Sequence, residues 1–168
     1  MAAGATYEPI NTITTAGSAN SVTFSSIPQT YTDLVLVANY GTAANGQYVT
    51  LRVGNGSVDT GLNYSATYMG GGPGGYSSSR NSGVNSLYLG YVCDTSSSLI
   101  STSIINIFYY TSTERKSILT RTGNPNLGTD AFVQRWGSNS TINIITLTTP
   151  STTFLNDSTF TLYGIKAA

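Results

Sequence analysis

The sequence predicts an all-β protein: a two-sheet antiparallel β-sandwich, jelly-roll-like, with about eight main strands. Three observations carry that expectation. Ser (22), Thr (26), Asn (14) and Gly (18) make up nearly half of the 168 residues, while Glu and Lys number two each and Gln three. The first group suits pleated surfaces and turns, and the second normally fills exposed helix positions. Short β-prone segments recur along the whole chain, several alternating apolar and polar residues with period two. Nowhere do apolar residues recur at i, i+3, i+4 and i+7 over three turns.

Taken in order, the expected strands are Ser21–Phe24, Asp33–Tyr40, Tyr48–Val53, Asn63–Tyr68, Ser86–Cys93, Ile100–Tyr110, Lys116–Arg121, Ala131–Trp136, Ile142–Leu147 and Thr159–Ile165. In the third, Tyr48, Thr50 and Arg52 share one face while Val49, Leu51 and Val53 share the other. In the last, Phe160 and Leu162 oppose Thr159, Thr161, Tyr163 and Ile165. One apolar face per strand means a sheet packed on one side. Stretches 41–46 and 54–61 supply Asn-Gly and Gly residues that accept positive φ. Asn124-Pro125-Asn126 and Thr149-Pro150-Ser151 interrupt pairing. An immunoglobulin-like sandwich is the second choice, without the paired cysteines of that fold. The chain reads as a single domain, 1–168. Its one long irregular stretch is a Gly/Ser-rich loop at 69–86, from Met69 to Ser86.

Seven basic and seven acidic residues give a formal net charge of zero. No polybasic surface for nucleic acid is expected, nor a membrane span, since the longest aliphatic run, Leu34–Ala38, is five residues. No secretory signal is read in the first eight residues. Histidine is absent, so neither a Ser-His-Asp triad nor an imidazole zinc site is available. The single cysteine, Cys93, reads as a small buried hydrophobe. Gly70–Gly75 satisfies G-x-G-x-x-G, but no helix pattern follows to bind a pyrophosphate. The acids lie singly, most beside turn residues, where Asp caps its own turn. Accordingly no catalytic residue, cofactor or metal site is expected. Glu114-Arg115-Lys116, the one charge cluster, reads as a solvated hairpin turn. Tyr76 and Arg80 are the candidate contact residues, a rigid aromatic and an arginine on the Gly-rich stretch.

Two stretches carry a resemblance: the opening Ala5–Ile10 with Ser21–Val37, and the ending Ser158–Ala168. They resemble the two ends of small virion structural proteins of tailed bacteriophages, of the kind found in phages of marine bacteria and cyanobacteria. Those proteins also place a variable Gly- and Ser-rich centre between the ends. The resemblance implies a non-enzymatic virion component, assembled in the host cytoplasm, with major capsid protein or tail components as partners. A head-decoration or cement protein is the first expectation, and a tail-fibre or baseplate adhesin for host surface glycans the alternative. Low charge leaves strand edges weakly protected and favours association, so a homo-oligomer is expected, with a trimer favoured.

Overall fold

A computed structural model describes residues 6–45, 47–90, 94–96 and 99–166. The described residues form thirteen strands: β1 (Tyr7–Ala16), β2 (Ser21–Phe24), β3 (Asp33–Tyr40), β4 (Val49–Asn55), β5 (Ser57–Val58), β6 (Tyr64–Gly72), β7 (Gly75–Val84), β8 (Leu87–Gly90), β9 (Ser101–Ile107), β10 (Lys116–Asn124), β11 (Gly128–Trp136), β12 (Ile144–Thr148) and β13 (Asn156–Ile165). All pairs are antiparallel. Eight strands form one sheet in the order β1-β13-β3-β9-β10-β11-β6-β7, and five form the other, β2-β12-β4 with β5 and β8 both paired to β4. The expected all-β sandwich of two antiparallel sheets is present, unevenly divided between its layers.

The alternation in the sequence decides which face is buried. On the inner face of the large sheet, Leu34, Leu36, Ala38 and Tyr40 of β3 lie beside Phe160 and Leu162 of β13 and Ile105 and Ile107 of β9. Val49, Leu51 and Val53 of β4 and Ile145 and Leu147 of β12 close on them from the small sheet. Phe160 stacks on Tyr40 with ring centroids 6.1 Å apart and meets Phe154 edge-on at 4.9 Å. Apolar burial of this kind, roughly 25 cal/mol per Å², is the main force holding the layers together.

Farther along the sheet the interior turns polar, and hydrogen bonds replace bulk. Ser103 Oγ lies 3.0 Å from the Tyr40 hydroxyl and 2.6 Å from Thr122 Oγ1, and Thr122 donates to the Leu89 carbonyl. Gln134, 2% exposed, donates to the Tyr88 carbonyl at 2.6 Å and accepts from Thr120 Oγ1 at 3.1 Å. These side chains tie the short strand β8 to β10 and β11. Asp59 anchors the root of β6. Its carboxylate accepts from Gly61 N, Asn63 Nδ2 and Trp136 Nε1, each at 2.8 Å. Burial works to raise the Asp59 carboxyl pKa, but those donors outweigh it and hold the group below its ordinary value.

Two expectations require correction. The stretch 69–86 is not a loop: β6 and β7 form a hairpin through it, turning at Pro73-Gly74, with Gly75–Ser82 in unbroken register against Ser65–Gly72. Lys116 is not a solvated turn residue, being 1% exposed. Strand alternation turns it inward, where its Nζ donates to the carbonyls of Ser112 and Glu114 and lies 5.9 Å from the Trp136 ring centroid. Burial lowers its pKa, against the opposing pull of Glu114. Three strands, β1, β5 and β7, add to the ten segments named from the sequence, and they have no clear apolar alternation to announce them. The expected position of Cys93 lies outside the described residues.

Candidate functional site

Except at β7, which is exposed on both faces, the inner face of the large sheet packs on the core beneath the small sheet; its outer face is not covered by anything in the described chain. Strand register shows what that outer face displays. One row across the sheet runs Val37, Ile104, Arg121, Ala131, Met69, Ser78. The next runs Val35, Asn106, Leu119, Val133, Thr67, Arg80. Met69 is 67% exposed, Val133 60% and Tyr76 96%. Between β9 and β7 the surface forms an open depression of about 860 Å³, bordered by Met69, Tyr76, Ile104, Arg121 and Ala131. Ser117 and Arg135 continue the pattern one row on.

Charge is sorted on this molecule even though it sums to zero. Of the five arginines, Arg80, Arg121 and Arg135 point outward on β7, β10 and β11. Arg115, just before β10, joins Arg80 and Arg135 around a second depression that includes Ser65, Thr67 and Val133. No Asp or Glu occupies an outward position on β9, β10, β11, β6 or β7. Among the described residues none of these four guanidinium groups has a carboxylate within 4 Å; the ion pair that is present, Lys166 to Glu8 at 2.7 Å, joins the β1 edge instead. Four unpaired cations on an apolar floor form a surface suited to an acidic, partly apolar partner. Arginine supplies the planar donor fork for carboxylates, and exposed Tyr, Met and Val supply contact area.

Tyr76 and Arg80, singled out from the sequence, both lie on β7 and both point to this outer face, four residues apart. The structure places them on a strand rather than on a flexible loop, so their spacing is fixed at about 13 Å along the chain. Arg115, Arg121, Arg135, Met69 and Val133 were not legible as site residues. The signal available was outward alternation, Ser117-Leu119-Arg121 and Val133-Arg135, in strands whose other face is apolar. Among the described residues no three Cys, Asp or Glu side chains gather as a metal site would require. Compared with known proteins, the chain matches no family model, no curated protein and no solved structure.

Proposed function

We propose that the protein is a non-enzymatic structural subunit of a tailed-phage virion, acting as a head-decoration or cement protein. In this role its open sheet face clamps an acidic surface of the major capsid protein. The observation that supports the reading is the outer face itself. Four arginines without carboxylate partners and a set of exposed apolar residues lie on a rigid sheet, where a neighbouring subunit would cover them. A broad, shallow surface of this kind is typical of association between proteins, whereas small-molecule sites are deeply concave. The sequence resemblance at the two ends supplies the virion context.

The test follows from mass action, because a protein that binds the assembled shell and not free subunits stabilises the shell. Particles carrying the double variant Arg121→Glu and Arg135→Glu should shed the protein and rupture at lower temperature, while adsorbing to host cells as before. Immunogold labelling should place the native protein on the head. Label at the tail, with unchanged particle heat stability and lost adsorption, would favour the adhesin reading over the cement one. Absence from purified particles would remove both.

A further inference from the structure

The free edge of β7 goes beyond that reading, because it specifies a partner and a geometry. β7 ends the large sheet, and among the described residues nothing pairs with its far side. Nine of its ten residues are exposed, on both faces. Natural sheets blunt such edges with charges, proline, bulges or short strands. Here ten residues carry one charge, Arg80, and the single irregularity falls at Gly83, near the end. The opposite edge, β1, carries Pro9, two register shifts and the Glu8–Lys166 ion pair.

The hairpin fixes which backbone groups are free. Only two residues separate Gly72 and Gly75, so that pair can form only by exchanging its own N–H···O bonds. Alternation then turns the N–H and C=O groups of Ser77, Ser79 and Asn81 toward β6. Those of Tyr76, Ser78 and Arg80 point away from it. The free donors and acceptors therefore belong to the same residues whose side chains stand on the outer face.

We propose that β7 pairs antiparallel with β7 of a second copy of this chain, about a twofold axis at Ser78. This register sets Ser78 opposite its counterpart and Tyr76 opposite Arg80 twice, once on each side of the axis. Three narrow pairs of this kind supply about six inter-chain hydrogen bonds. Each Tyr76 ring meets a guanidinium, the favourable cation–aromatic pairing. On the other face Ser77 meets Ser79, with no charge to repel. A shift of two residues either way would lose both Tyr–Arg pairs, setting Ser78 against Tyr76 or against Arg80, so the side chains select the register. The two large sheets become one continuous sheet, and the two arginine-bearing faces lie side by side. The twofold interface gives an even-numbered oligomer in place of the trimer expected from the sequence.

Sedimentation of the full chain at high micromolar concentration should give twice the 17.6 kDa of one chain. Ser78→Pro removes an N–H that β6 does not use, so the hairpin remains while the dimer dissociates. Tyr76→Arg sets like charges opposite each other and should raise the dissociation constant about tenfold. Exchanging the two residues, Tyr76→Arg with Arg80→Tyr, restores every pair and should restore the dimer. Amide exchange gives an independent reading: Tyr76, Ser78 and Arg80 become protected only as the dimer forms, while Ser77 and Ser79 are protected throughout. A monomeric or trimeric wild-type protein would overturn the proposal, as would an exchanged variant no better than Tyr76→Arg. A folded Ser78→Pro variant that stays dimeric would do the same. None of these outcomes bears on the Arg121 and Arg135 clamp.

Discussion

β1 and β7 are each ten residues long and flank the same sheet, yet almost nothing else about them agrees. β1 rests on the core: Ile10 and Ile13 pack against it, and Thr15 is buried with its hydroxyl donating to the Leu155 carbonyl at 2.7 Å. Its outer rim is broken by bulges and a proline. β7 has no apolar side chain beneath either face except Val84 at its end, and its rim is unbroken from Gly75 to Ser82. One edge is held from below and closed to pairing; the other is held only from the side and open to it. The comparison teaches that a strand can be stable as a fold element without contributing to a core. Backbone bonds to β6 suffice when the adjacent strand is itself anchored by Asp59 and Trp136.

The largest effect expected from this contrast lies under β1. Phe160→Ala removes a ring packed against Tyr40 and Phe154 and should cost about 3–5 kcal/mol in denaturant unfolding. Tyr76→Ala on β7 should leave the monomer within about 0.5 kcal/mol of wild type. Comparable losses at the two sites would end the distinction. A middle effect belongs to Gln134→Ala, between the two regions. It removes the donor to the Tyr88 carbonyl and the acceptor of the buried Thr120 hydroxyl and should cost about 1–3 kcal/mol. Amide exchange should quicken in β6 and β7 while β1 stays protected.

A smaller effect is expected in acid, at the root of the hairpin. The Asp59 carboxyl pKa is lowered in the folded protein, so the unfolded chain binds its proton first. The stabilisation is present above about pH 4, the ordinary carboxylate value, and is lost as pH falls through the lower folded value. Asp59→Asn should flatten that part of the stability–pH curve, with Trp136 fluorescence as the local readout. The smallest effect belongs to Lys166→Ala on the β1 rim, where an exposed ion pair contributes little to stability. The thermal midpoint should stay where it is. A large fall would mean that the β1 edge depends on its ion pair rather than on the core beneath it.

The sequence was most informative where one face of a strand is buried. Ser21–Phe24 and Asp33–Tyr40 are strands with the expected ends, because Val22, Phe24, Leu34, Leu36 and Ala38 mark the buried side residue by residue. Asn124 also acts at the turn its neighbours announce, its Oδ1 accepting from Asn126 N at 2.9 Å and Leu127 N at 3.1 Å. β1 was obscured by its bulge between Pro9 and Asn11, which sets the core-facing Ile10 and Ile13 three apart and erases the period of two. β7 was invisible for a deeper reason. A strand exposed on both faces needs no apolar alternation, so Tyr76–Ser82 reads as loop composition.

Composition and alternation alone determined the class, the inward set of side chains and the absence of helices among the described residues, because burial on one face is a local requirement written into every second residue. The placing of Tyr76 and Arg80 beside Arg121 and Arg135 was decided only by tertiary structure. These residues lie 41 to 59 positions apart in the chain, and neighbours in a sheet are chosen by which strands together cover the core. The same holds for the edges. A strand is an edge only because no other strand takes its far side, and that is a property of the whole sheet order rather than of any segment within it.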